Sequence, residues 1–235
     1  MILYYTCSGS SEHVANVLAE EMNETALCIS NDVNNGVEGD FYSDRPFVIV
    51  CPIFNMRVPE VVSEFLKKSH FRGSSEVVFV AVCSYSSGNA RGYLNSIFKA
   101  KDMRMFYTVV IMPSTNAFKP NTTSEKSKEK IIERADKEAK RLAYIITSNS
   151  PFAQASVSLV GVIGSALNPL VRKTLSDKKL SANENCTKCG KCVDGCPTKN
   201  ISYSEKSVTF SGHCINCSLC VNTCPENVIT VGKRK

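Results

Sequence analysis

At 235 residues the chain exceeds one average domain of roughly 150 residues and falls short of two large ones. Hydrophobic residues make up 43% and charged residues 21%, which excludes a disordered or collagen-like chain. The formal net charge is only +6, and the 12 cysteines are many for a reducing compartment yet too few for a disulfide scaffold.

Over the first 148 residues, short apolar runs alternate with helix-patterned segments. Strands are predicted at 2–5, 26–29, 47–51, 77–83 and 105–111, and helices at 11–22, 59–69, 89–101 and 126–146. Pro59 suits a first helical turn, and Val58, Val61, Val62, Phe65 and Leu66 give that segment one apolar face. The third and fourth runs are continuously apolar, as in parallel strands covered on both faces. Five strands interleaved with helices predict a doubly wound α/β sheet. Ligands of such sheets sit at the carboxyl ends of the strands near the topological switch point, so function is expected in the loops after Tyr5, Cys51 and Cys83.

Residues 147–171 carry no charge, with Arg141 and Arg172 on either side. Pro151, Pro169, Gln154, Asn168 and several serines interrupt the stretch, whereas a membrane span is predominantly apolar over about 20 residues. No span is expected, and 149–180 reads as a connector docked on a core. The first six residues show neither the basic nor the apolar region of a secretory leader. A reducing, cytoplasmic setting follows, in which clustered thiols signal metal rather than disulfides.

Residues 181–235 are too few to bury a competent core unaided. They contain a repeat of offset 28 in which Cys186, Cys189, Cys192, Cys196 and Pro197 recur as Cys214, Cys217, Cys220, Cys224 and Pro225. Structural zinc fits this C-x2-C-x2-C-x3-C-P pattern poorly, because it pairs C-x2-C units across a longer gap. The pattern resembles that of bacterial two-cluster ferredoxins, where the first three cysteines hold one cluster and the fourth reaches the other. That resemblance implies two 4Fe–4S clusters, one on Cys186, Cys189, Cys192 and Cys224, the other on Cys214, Cys217, Cys220 and Cys196. Ile201 and Ile229, five positions after each fourth cysteine, are expected to wall the clusters from water. Two clusters of charge 2− lower the net charge from +6 to about +2, so charge gives no case for nucleic-acid binding. Lys188, Lys191, Lys199 and Lys206 read as residues that tune the clusters, meet a partner or simply face solvent.

After the first strand comes Thr6-Cys7-Ser8-Gly9-Ser10-Ser11, running into a helix. Backbone N–H groups at a helix start, with hydroxyls around a glycine, form an anion site. The loop lacks the Gly-Lys-Ser/Thr of a Walker loop and the three glycines of a dinucleotide fingerprint. It resembles the flavodoxin phosphate loop: Thr6, Ser8 and Ser11 keep the hydroxyls and Gly9 the glycine, while Cys7 and Ser10 depart from the usual glycine and asparagine. The segment from Cys51 to Pro59, with Phe54 and Asn55, resembles the stretch that borders the flavin in flavodoxins. The loop from Ser84 to Ala90 is small and polar, with Tyr85 placed to stack on a flavin ring and Gly88 at its turn. FMN is the implied cofactor. Cys28, Cys51 and Cys83 read as buried structural thiols, and His13, His70 and His213 as non-ligands.

A flavodoxin-like domain followed by a two-cluster ferredoxin tail resembles the EFR1 family of flavodoxin–ferredoxin fusions. The resemblance implies a flavodoxin-like five-stranded doubly wound parallel sheet over 1–148, the connector over 149–180, and a small α+β two-cluster ferredoxin domain over 181–235. Its implied activity is electron transfer between FMN and two 4Fe–4S clusters, serving redox partner proteins of a low-potential anaerobic metabolism. Two alternatives remain open: an FMN-dependent reductase of a small molecule fed by the clusters, and a ferredoxin whose α/β domain has lost flavin and docks a partner. For a reductase, Arg57, Tyr85 and Arg91 are the polar candidates. A homodimer would offer a second route, one chain's clusters serving the other's flavin.

Overall fold

The computed structural model describes residues 1–84, 86–112, 125–148 and 180–231. Tyr85 and all of the connector except Leu180 therefore lie outside the described residues. The chain divides into two compact units, Met1–Ser165 and Ala166–Lys235.

In the first unit the elements run β1 (Ile2–Tyr4), α1 (Ser10–Met22), β2 (Ala26–Cys28), α2 (Ser30–Asn35), β3 (Asp40–Ser43) and β4 (Phe47–Pro52). Then follow α3 (Glu60–Lys68), β5 (His70–Gly73), β6 (Glu76–Cys83), α4 (Ala90–Lys99), β7 (Arg104–Ile111) and α5 (Glu125–Thr147). Five strands form one parallel sheet in the order β2-β1-β4-β6-β7. Counted along the chain, those five strands lie in the order 2-1-3-4-5, which is the flavodoxin-like arrangement.

The register aligns Leu27, Leu3, Ile49, Phe79 and Tyr107 in one row across the sheet. Alternation along the strands sends Val48, Val50, Val78, Val80, Val82 and Val110 to one face, where they pack with residues of α1 and α5 such as Val14, Leu18, Ala139 and Leu142. On the opposite face the ring of Phe47 meets Phe71 at 5.2 Å, and Phe71 meets Phe98 of α4 at 6.0 Å. Both faces are buried, which is why β4 and β6 are apolar at nearly every position.

All five predicted strands and four predicted helices are present, with ends shifted by at most two residues. The sequence reading missed α2 and the parallel pair β3–β5. Their pairing demands a glycine at 73: its φ is +93°, and a Cβ there would lie 2.4 Å from the Ser43 carbonyl oxygen. Cys51 and Cys83 are buried as expected, but Cys28 is exposed. It lies on β2, the edge of the sheet, where one side of the strand has no neighbouring strand among the described residues.

Lys101 fastens the end of α3. Its partly buried ammonium donates to the carbonyls of Lys67 and Ser69, both at 2.7 Å, and burial lowers its pKa. Lys101→Met is expected to destabilise the unit by about 1–3 kcal/mol. Thermal unfolding checks this, at about 2–4 °C per kcal/mol for a chain of this size.

The second unit is a structural repeat. Its strands are β8 (Leu180–Ala182), β9 (Ile201–Tyr203), β10 (Val208–Phe210) and β11 (Ile229–Val231), with short helices at Lys191–Asp194 and Leu219–Thr223. Both strand equivalences keep the sequence offset, β8 with β10 and β9 with β11. The left-handed residues keep it too: Lys188 with Asn216, Gly190 with Ser218, Lys199 with Asn227. Pairing crosses between repeats, because β8 runs antiparallel to β11 and β9 to β10. Ile201, Val208, Val228 and Ile229 form the small core, and cysteines from both repeats pack against it.

Candidate functional site

In the second unit a cavity is lined by Cys186, Cys189 and Cys192 together with Cys224 of the other repeat. The electrostatics separate the eight thiols the same way. Burial raises the Cys192 thiol pKa first, and Cys186, Cys224 and Cys189 raise it further. Cys220 is pushed up to about 12, first by burial, then by Cys217, Cys214 and Cys196. Each group of three thus sees the fourth cysteine of the opposite repeat. No three His, Cys, Asp or Glu side chains among the described residues close on a single-ion position.

Main-chain amides point at sulfur, among them Asn200 N–H to Cys196 Sγ and Asn216 N–H to Cys214 Sγ, each at 3.3 Å. Such bonds favour the thiolate and tune a cluster bound to it. Asn200, 1% exposed, also accepts the His213 amide at 2.6 Å through its side chain. It thereby ties Cys196 to the start of the second motif, a role that the sequence reading missed and that its repeat mate, Val228, does not share. Ile201 and Ile229 are buried beside the cysteines, as expected.

In the first unit the three expected loops follow β1, β4 and β6, which are neighbours in the sheet. In the first loop, Gly9 caps α1 with φ +85°, and its N–H donates to Thr6 Oγ1 at 3.0 Å. The loop is tied to α2 because Ser30 Oγ accepts the Thr6 N–H at 3.0 Å. Ser30 is a second residue missed from sequence; the loop after β2 lies at the same edge, and strand order alone points to it. The Ser10 and Ser11 hydroxyls are buried and have no hydrogen-bond partner among the described residues. Ser8 is half-buried, and Cys7 is buried with its thiol 3.4 Å from the Tyr5 hydroxyl. A Cβ on Gly9 would meet nothing within 4 Å, so the space above the helix start is open. Orphaned hydroxyls beside an open, amide-rich turn fit an anionic group such as a phosphate.

In the second loop, Phe54 and Arg57 exchange two main-chain hydrogen bonds at 3.0 Å around Asn55 and Met56. Both central residues have positive φ, 50° and 62°, the mark of a type I′ turn. Phe54 is half-buried and Asn55 exposed. In the third loop, Gly88 has φ +57° and its N–H donates to Ser86 Oγ at 3.3 Å; Tyr85 is outside the described residues. Tyr107, in the middle row of the sheet, stacks on Phe79 with ring centroids 6.0 Å apart. Burial raises its hydroxyl pKa strongly, and Ser87 and Arg91 act against that rise. The Nε2 of His13 lies 2.6 Å from Asp136 of α5.

Among the described residues no helix is long and apolar enough to cross a membrane. Several solved structures are similar over the first part of the chain. The azoreductase AzrA is 12% identical, with 60% of this chain and 98% of that one covered at a TM-score of 0.36. A flavodoxin, WrbA-like protein from Agrobacterium tumefaciens is 12% identical, covering 63% and 96% at 0.37. Two-electron reduced flavodoxin from Megasphaera elsdenii is 13% identical, covering 58% and 99% at 0.34. No curated protein matches. Residues 178–225 match the family model of the 4Fe-4S dicluster domain. The molecule therefore joins a flavodoxin-like sheet unit to a small ferredoxin-type iron–sulfur domain.

Proposed function

We propose that this protein carries electrons between an FMN held by the sheet unit and two 4Fe–4S clusters held by the C-terminal unit. FMN exchanges one or two electrons and a 4Fe–4S cluster one, so the pair converts between the two kinds of carrier. The observation that carries the reading is the division of eight thiols into two quartets, each completed across the repeat. The ligand sets are Cys186, Cys189, Cys192 and Cys224, and Cys214, Cys217, Cys220 and Cys196. The FMN phosphate is assigned to Thr6, Ser8, Gly9, Ser10 and Ser11, with Phe54, Asn55, Tyr85 and Gly88 beside the ring; the orphaned hydroxyls of Ser10 and Ser11 support that assignment. Residues 1–148, 149–180 and 181–235 form flavin domain, connector and ferredoxin domain, as in the EFR1 family. Redox proteins of a cytoplasmic, anaerobic metabolism are the proposed partners.

The test is iron, sulfide and flavin analysis of anaerobically purified protein, with an absorption spectrum. The expected result is about eight irons per chain and one FMN on titration. Zinc, or about four irons after full reconstitution, would overturn the two-cluster assignment. Full iron without FMN binding would leave a ferredoxin whose sheet unit docks a partner. Turnover of a small-molecule acceptor at the flavin, fed by the clusters, would make the protein a reductase.

A further inference from the structure

The two halves of the ferredoxin unit share a backbone but not a surface. The matched left-handed positions and strands show that the chain path repeats at offset 28, so differences between equivalent residues arise from side chains. The middle thiol of the first motif, Cys189, is exposed, whereas its equivalent Cys217 is 9% exposed. Thr187 is exposed, whereas Ile215 is 8% exposed. Lys191 is exposed, whereas Leu219 is half-buried. At each of these three positions the first motif shows solvent a small or charged group, and the second motif is more enclosed.

Resting on the cluster assignment above, we propose that the cluster on Cys186, Cys189, Cys192 and Cys224 is the electron port of this domain, with the Cys189 sulfur as its edge. The cluster on Cys214, Cys217, Cys220 and Cys196 is the sheltered one, exchanging electrons with outside carriers by way of the first. Electron tunnelling falls steeply with distance, so the cluster whose ligand sulfur reaches the surface dominates exchange. The port step is a one-electron transfer: a reduced cluster gives one electron to an external one-electron acceptor and returns from 3− to 2−. The charges around the port are mixed. Lys188 donates to the Glu205 carbonyl at 2.7 Å and Lys206 pairs with Glu184 at 2.8 Å, so access rather than a net basic patch defines it.

The experiment uses the fully loaded, full-length chain, after iron analysis has given about eight irons; a shortfall there counts against the cluster assignment, not against the port. Two measurements follow. Iron release into EDTA under mild oxidation is expected in two phases, half the iron leaving first. Thr187→Ile with Lys191→Leu, which copies the cover of the second motif onto the first, should slow that first phase. The same variant, reduced with dithionite and mixed with ferricyanide, should lose its cluster EPR signal at less than half the wild-type rate, because two equivalent exits would lose no more than half. Thr187→Ile alone, a smaller change, should shift both readouts the same way. Single-phase iron release from the wild type overturns the proposal, and so does a covered variant that keeps half or more of the wild-type oxidation rate.

Discussion

Replacing Cys196 with alanine is expected to empty the cluster that begins at Cys214 and to spare the one in its own motif. In sequence Cys196 follows Cys186, Cys189 and Cys192, and simple proximity would assign it there. The thiol that feels Cys196 in the fold is instead Cys220, while the cavity of the first motif takes Cys224. Iron should fall from about eight to about four per chain. Alkylation of the anaerobic variant followed by peptide mapping identifies which thiols have come free. The crossed assignment expects label on Cys214, Cys217 and Cys220 and protection of Cys186, Cys189, Cys192 and Cys224. Label on Cys186, Cys189 and Cys192 with protection of Cys214, Cys217, Cys220 and Cys224 would show that each repeat closes its own cluster. Asn200 adds a secondary effect, since its N–H loses the Cys196 sulfur to which it donates.

Gly9→Val tests the other cofactor. A valine at φ +85° costs about 1–2 kcal/mol as backbone strain. Because a Cβ there meets no protein atom within 4 Å, that strain is the main folded-state cost. Occupying the open space should also block a phosphate from the amides at the start of α1. FMN affinity is expected to fall at least about tenfold, or 1.4 kcal/mol, with iron content unchanged. Ser11→Ala separates binding from stability: the hydroxyl is buried and has no partner among the described residues, so removing it should leave the melting temperature of flavin-free protein level or raised while weakening FMN. Fluorescence titration and circular dichroism read both variants. A Gly9→Val protein that melts lower yet binds FMN like the wild type would remove the phosphate from this loop.

The parts of the fold legible in the sequence were those in which one physical demand fills a whole segment. β4 and β6 are covered on both faces, so every position between Val77 and Cys83 had to be apolar. α3 needs one apolar face, which Val62, Phe65 and Leu66 supply. β3 was illegible because only alternate residues, Phe41 and Ser43, are buried, and four residues of alternation resemble a loop. α2 is short and polar, with Val33 its only buried side chain. Cys28 looked like a core thiol because an edge strand and a central one share composition. The two thiol quartets were legible through spacing, since steps of three that bring Cys186, Cys189 and Cys192 to one cavity recur at an offset of 28. Asn200 was not, because its role depends on where His213 comes to lie in the fold.

The exchange of strands between the repeats bears on how the C-terminal domain comes into being. Among the described residues Leu180–Ala182 pairs with Ile229–Val231, and the first three thiols share their cavity with Cys224. A nascent chain that has emerged as far as Cys220 therefore lacks the β8–β11 pair and the fourth thiol of the first cavity. The pair β9–β10 and the quartet Cys196, Cys214, Cys217 and Cys220 are by then complete, so the half they build can settle before the half that waits for Cys224 and Ile229–Val231. Under the proposed ligand sets, metal binding would couple to ordering in each half in turn, the half closed by Cys196 before the half closed by Cys224.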